Sequence, residues 1–150
     1  MTDAVLSFAV VFLAFGTSVA WLSLGAWRAE PISGQRLVAE LRLAQFAALL
    51  LALAAAVPMG FALGHDEVPG TSIVVAIAAG CFAVAALVIT WEPVRALTAL
   101  AVGWGAHAMA GLAHGAGLLP SEIVPGWYPA ASATYDVVVA ALCYLPVLRR

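Results

Sequence analysis

The sequence predicts an all-α polytopic membrane protein, a five-transmembrane-helix bundle that forms a single domain over residues 1–150. Apolar residues make up 65% of the chain and charged residues 9%, whereas an ordinary soluble domain has roughly 45–50% and about 25%. The charge-poor stretches are also long, and about 20 apolar residues cross a bilayer as a helix. So few charges cannot cover a water-soluble fold. Together with a net charge of −2, this composition excludes a nucleic-acid-binding surface.

Stretches that are almost free of charged residues define the spans, at approximately 4–27, 43–64, 70–91, 96–119 and 129–148. The first span follows Met1-Thr2-Asp3, which lacks the positive region of a signal peptide, so we expect a retained helix. Ser33 lies in the first link and is a candidate N-cap for the second helix. Pro58 lies in the outer third of the second span, where we expect it to kink or break the helix and to act as a hinge.

The later links between spans contain residues that favour turns. Val68-Pro69-Gly70 precedes the third span, and Glu92-Pro93 separates the third span from the fourth. The longest link runs from Leu119-Pro120 to Tyr128-Pro129, contains three prolines and is expected to lie on the membrane surface. None of these links is long enough to form a second domain.

The distribution of arginine predicts the orientation of the bundle. With five spans, one side of the membrane receives every basic residue of the chain, namely Arg28, Arg36, Arg42, Arg95, Arg149 and Arg150. The other side receives Asp3, Asp66, Glu67 and Glu122 and no base. Because basic residues accumulate in cytoplasmic loops, we expect the N-terminus outside and the C-terminus in the cytoplasm of a cell membrane.

Three ionisable residues lie inside predicted spans, where a charged side chain costs about 2.5–3.5 kcal/mol at the centre of the bilayer. His107 and His114 belong to the fourth span and Asp136 to the fifth. If these helices are neighbours, we expect His114 and Asp136 to meet at one depth. Such a pair is a structural clamp between helices, a proton or ion site, or part of a metal or haem ligand set. Both intramembrane histidines lie on one helix, which argues against a haem held within one chain.

Glycines and a polar turn supply the other candidate features. Gly103, Gly111 and Gly115 form a helix-packing surface on the fourth span, because small residues let two helix backbones approach closely. His65, Asp66 and Glu67 form a compact cluster that, together with His114, is a weak candidate for a divalent metal. Adjacent residues cannot all point at one ion, so a solvated turn is the favoured interpretation. We predict no cofactor.

The predicted function follows from the catalytic motifs that the sequence lacks. The chain contains no nucleophilic triad, phosphate loop or metalloprotease motif, so we do not expect an enzyme. We expect a non-catalytic accessory or structural subunit whose partners are the lipid bilayer and other membrane subunits, or a second copy of itself. One alternative is a small transporter or channel for protons, metal ions or a small solute that uses His107, His114 and Asp136. A second alternative is a haem- or quinone-associated redox subunit.

Overall fold

A computed structural model describes residues 3–65 and 67–149, with the backbone alone described at residue 4. These residues form five long helices and two short 3-10 helices, with no strand among them. The long helices are α1 (Asp3–Arg28), α2 (Gly34–Leu63), α3 (Thr71–Val88), α4 (Pro93–Gly115) and α5 (Tyr128–Tyr144), and the short ones are Ser121–Ile123 and Val147–Arg149. Five helical segments are long and apolar enough to cross a membrane. The predicted all-α class and the number of helices of spanning length are therefore confirmed, and the five apolar helices indicate a multi-pass membrane protein.

Helix α2 is longer than the sequence pattern predicts. It begins at Gly34, nine residues before the predicted start of the span, and the Ser33 side chain accepts a hydrogen bond from the amide of Arg36. The predicted N-cap is thus confirmed, and the helix extends beyond the charge-poor span that the sequence predicts from residue 43. The extra helical turns contain Arg36 and Glu40. A span that is defined by the absence of charged residues cannot include them. At the other end, α2 continues through Pro58 to Leu63, so the expected break is not seen.

The helices pack with an apolar core between α2, α3, α4 and α5. Helices α4 and α5 share the most extensive contact, followed by α2 and α3. Helix α1 lies against α2 and α5 at the edge and buries few of its residues. The arginine-bearing ends come together, because Arg149 hydrogen-bonds the carbonyl of Trp27 and Arg36 that of Pro146. This arrangement leaves α4 and α5 to position the polar residues of the interior.

The glycines of α4 lie where neighbouring helices approach most closely. A Cβ atom at Gly103 would lie 3.2 Å from the Leu51 side chain, and one at Gly111 would lie 3.2 Å from the carbonyl oxygen of Pro129. A Cβ at Gly115 would lie 3.6 Å from that of Pro129, which is an ordinary contact. Gly111 therefore determines how closely α4 and α5 approach, because it faces a backbone atom that cannot move aside as a flexible side chain can.

We expect Gly111→Leu to destabilise the bundle by about 1–3 kcal/mol, since overpacking forces the backbones apart. Gly105 is the matched control, because a Cβ added there meets nothing within 4 Å. Thermal unfolding in mild detergent can be followed with a thiol-reactive fluorophore, because Cys81 and Cys143 are free and buried. The midpoint of Gly111→Leu should fall well below that of Gly105→Leu, and equal midpoints would contradict this role for Gly111.

Candidate functional site

A buried histidine–carboxylate contact joins α4 to α5. The Nδ1 atom of His107 lies 2.7 Å from Oδ2 of Asp136, and the two side chains are 6% and 1% exposed. Both residues stand eight positions from the ends of their helices that face each other across the α4–α5 link, at Gly115 and Tyr128. Two antiparallel helices of equal rise bring such positions to the same depth. The contact thus follows from the equal distance of the two residues from the facing helix ends.

The expected contact between His114 and Asp136 is wrong. His114 lies one residue from the end of α4, whereas Asp136 lies eight residues inside α5, so the two positions differ in depth by about two turns. Nδ1 of His114 instead contacts the carbonyl oxygen of Ala110 at 2.9 Å, within its own helix. The predicted span ends at 119 and 129 place His114 nearer to the depth of Asp136, and only the observed ends at Gly115 and Tyr128 identify His107 as the partner.

Two side chains contact Oδ2 of Asp136. With Asp136 ionised, its carboxylate only accepts hydrogen bonds and Nδ1 of His107 is the donor. The hydroxyl of Ser132, one turn earlier on α5, donates to the same Oδ2 at 3.2 Å. Nε2 of His107 is left to exchange a proton, and this ring lines a cavity between the helices. The sequence spacing of four residues places Ser132 and Asp136 on one face of the fifth span, and the structure adds the hydrogen bond between them.

The cavity brings together several of the residues singled out in the sequence. It has a volume of about 20 Å³ and is lined by His107, His114, Pro58, Tyr128 and Ser132, together with apolar residues. A volume of this size is enough for about one water molecule. Nε2 of His114 is buried and has no hydrogen-bond partner among the described residues. A buried acceptor without a partner costs about 1–3 kcal/mol, so this nitrogen calls for a functional or hydration role.

An apolar layer separates this site from the arginine-bearing end of the bundle. Its side chains come from α2, α4 and α5 and are completely buried: Leu43, Leu51, Leu97, Leu100, Val139 and Cys143. On α4, His107 lies eight residues from Gly115 and fourteen from Pro93, so it is nearer the end that the long link joins to α5. Trp104 lies at the border of the two regions, fully buried, with its ring centroid 6.3 Å from that of His107.

A second buried polar cluster lies at the arginine-bearing end. Nε of Arg36 contacts Oε1 of Glu40 at 2.8 Å, and Nη2 of Arg36 donates to the carbonyl oxygen of Pro146 at 2.7 Å. Both charged side chains are 1% exposed. Sequence reasoning assigned Arg36 to the basic residues on one side of the membrane and missed this cluster. An arginine and a glutamate four residues apart share a helix face, and that spacing was the available signal.

The candidate metal cluster in the α2–α3 link is not assembled among the residues that the structure describes. Nδ1 of His65 contacts the carbonyl oxygen of Phe61 at 2.9 Å, and Glu67 is exposed. Asp66 lies outside the described residues. Within residues 3–65 and 67–149, no three histidine, cysteine, aspartate or glutamate side chains are grouped so as to hold a metal ion.

No protein-family model, curated protein or solved structure matches the chain. The chemistry of the buried polar residues is therefore the basis for inferring function. Three of them were named from the sequence. The structure places His107 in contact with Asp136, and His107 and His114 line the same cavity.

Proposed function

We propose that this protein is a small membrane transporter that moves protons, with the His107–Asp136 pair as its proton-binding site. The observation that carries the proposal is the 2.7 Å contact between Nδ1 and Oδ2, buried in a spanning helix pair on the wall of a cavity. Ionisable residues inside membrane spans are costly, and ion pathways and proton relays are among the functions that they mark.

The geometry supports a proton site because the pair can change its charge without changing its contacts. Nδ1 of His107 carries a hydrogen in both the neutral and the cationic ring, so its bond to Asp136 persists in both states. The proton that is gained or lost belongs to Nε2. The Ser132 hydroxyl holds the carboxylate in place throughout. Loading and release of a proton therefore need no repacking of α4 against α5.

The proposal assigns distinct roles to His114 and Pro58. Nε2 of His114 is the proton-accepting group nearest to the long α4–α5 link, with the cavity between it and His107. The apolar layer closes the opposite side, so translocation requires the bundle to change conformation. Pro58 lines the cavity and removes one backbone hydrogen bond from α2, which makes it the hinge of that change. Alternating exposure of one site to the two faces is the mechanism that this arrangement favours.

The test is proton uptake by proteoliposomes. Purified protein is reconstituted into vesicles that contain a trapped pH-sensitive dye, and a potassium gradient with valinomycin sets a negative internal potential. We expect internal acidification to be faster than in protein-free vesicles and faster than in vesicles that contain an unrelated multi-pass protein. Equal rates in all three preparations would overturn the proposed function.

The proposed orientation has the N-terminus outside and the C-terminus in the cytoplasm of a cell membrane, as the arginine distribution predicts. We expect an impermeant thiol reagent to label Glu122→Cys on intact cells and to label Glu30→Cys only after permeabilisation. Both side chains are exposed, and the native Cys81 and Cys143 are buried, so the unmodified chain is the background control. The reverse labelling pattern would contradict this orientation.

The accessory-subunit role that was predicted by subtraction stays a prediction, as do association with other membrane subunits and the haem- or quinone-linked alternative. The proton-transport proposal is preferred because it assigns a role to a specific buried contact, which the other interpretations leave as packing. A visible absorption spectrum of the purified protein separates the redox alternative from it, since a bound haem gives a Soret band.

A further inference from the structure

A long apolar groove runs along the outside of the bundle between α3 and α4. Its volume is about 570 Å³, and its walls are aliphatic apart from Trp91, Arg95 and Thr98 near one end. Gly103 lies at its floor, packed against Leu51 and Val84. The groove is separate from the His107–Asp136 site.

The charged end of the groove is unusual for a surface that faces lipid. Arg95 is exposed, and its guanidinium carbon lies 5.7 Å from the centroid of the Trp91 ring. Among the described residues Arg95 makes no ion pair, and neighbouring Glu92 is exposed and makes none either. The guanidinium is thus held on the indole at the mouth of the groove with its hydrogen-bond donors free for an anion. The amino end of α4 adds a partial positive charge beside it.

The length of the groove matches one leaflet of a bilayer. Arg95 and Ala106, both on α4, mark its charged end and its far end. Eleven residues of helix rise by about 16 Å, and half of the hydrocarbon core is about 15 Å. The match in length to one leaflet, together with the cationic group at one end, favours a lipid whose acyl chain lies in the groove.

We infer that this groove is a binding site for an anionic phospholipid, with one acyl chain between α3 and α4 and the headgroup phosphate on Arg95. Arginine forms paired hydrogen bonds with phosphate oxygens, and tryptophan rings are enriched at the level of the headgroups. Basic sites between spanning helices are a known form of recognition of anionic headgroups. The inference does not depend on the proposed proton transport.

The test is native mass spectrometry of the detergent-solubilised protein with added phosphatidylglycerol or phosphatidylcholine that carry identical acyl chains. We expect one phosphatidylglycerol to bind at least five-fold more tightly than phosphatidylcholine, which corresponds to about 1 kcal/mol for one basic residue near the headgroup. Arg95→Gln should remove this preference. Arg42→Gln is the matched control, since Arg42 is exposed on α2 outside the groove and should leave the preference unchanged.

A second pair of variants tests the groove itself. Ala106→Leu should fill it and weaken the binding of both lipids, whereas Ala86→Leu adds the same side chain at an exposed position of α3 outside the groove and should not. Equal losses in Arg95→Gln and Arg42→Gln would overturn the inference in favour of general charge attraction. Unchanged lipid binding in Ala106→Leu would also overturn the inference. A dimer of the unmodified protein that Ala106→Leu dissociates would overturn it in favour of a second copy of the chain in the groove.

Discussion

Asp136→Asn is expected to slow proton uptake by proteoliposomes at least ten-fold, equivalent to about 1.4 kcal/mol. Asparagine has nearly the same shape as aspartate, and its amide oxygen still accepts the hydrogen bond from Nδ1 of His107. The negative charge is lost, however, and a cationic His107 would then lie buried without a counter-charge. An uncompensated charge in the interior is strongly disfavoured, so His107 stays neutral and the proton site is lost.

Two controls separate this effect from a loss of structure. Ser132→Ala removes the weaker 3.2 Å donor to Asp136 and keeps the charge, so uptake should fall only slightly. Thr134→Ala, at an exposed position two residues away on the same helix, should behave like the unmodified protein. The thermal midpoint of Asp136→Asn should remain close to that of Ser132→Ala. If Asp136→Asn folds and conducts at the unmodified rate, the pair is a clamp between helices and the proposed function is wrong.

Glu40→Leu is expected to cause the largest loss of stability, about 3–5 kcal/mol, because it leaves the Arg36 guanidinium buried without its carboxylate. Both side chains are 1% exposed and lie 2.8 Å apart, so water cannot replace the missing partner without opening the end of the bundle. The guanidinium also bonds the Pro146 carbonyl. Disruption of the pair therefore loosens α2 from the end of α5.

The double variant Arg36→Met with Glu40→Leu tests whether the unpaired charge of Arg36 causes this loss of stability. Removing both charges replaces the ion pair with apolar side chains, which is often neutral or stabilising, so most of the stability should return. A residual deficit of about 1 kcal/mol is expected for the lost hydrogen bond to Pro146. Arg42→Leu, an exposed arginine on the same helix, should change the unfolding midpoint little. If the double variant is less stable than Glu40→Leu alone, the buried pair does not control stability in this way.

The sequence by itself determined the class of fold and the number of spans, because both depend on a local quantity. Each stretch of about 20 apolar residues must form its own backbone hydrogen bonds in lipid and does so as a helix, whatever its neighbours are. The same local chemistry determined the Ser33 cap. It also marked His107, His114 and Asp136 as residues whose burial needs a reason.

The tertiary structure alone decided which polar groups meet. Asp136 contacts His107 because α4 and α5 end at Gly115 and Tyr128, and residue spacing in one helix carries no information about register in the next. Arg36 is buried with Glu40 and the carbonyl of Pro146 as the partners of Nε and Nη2, and Pro146 comes from the far end of the chain. A search for charge-free stretches leaves such a residue outside the predicted span. Its burial is stabilised by partners that only the packed structure brings into contact with it.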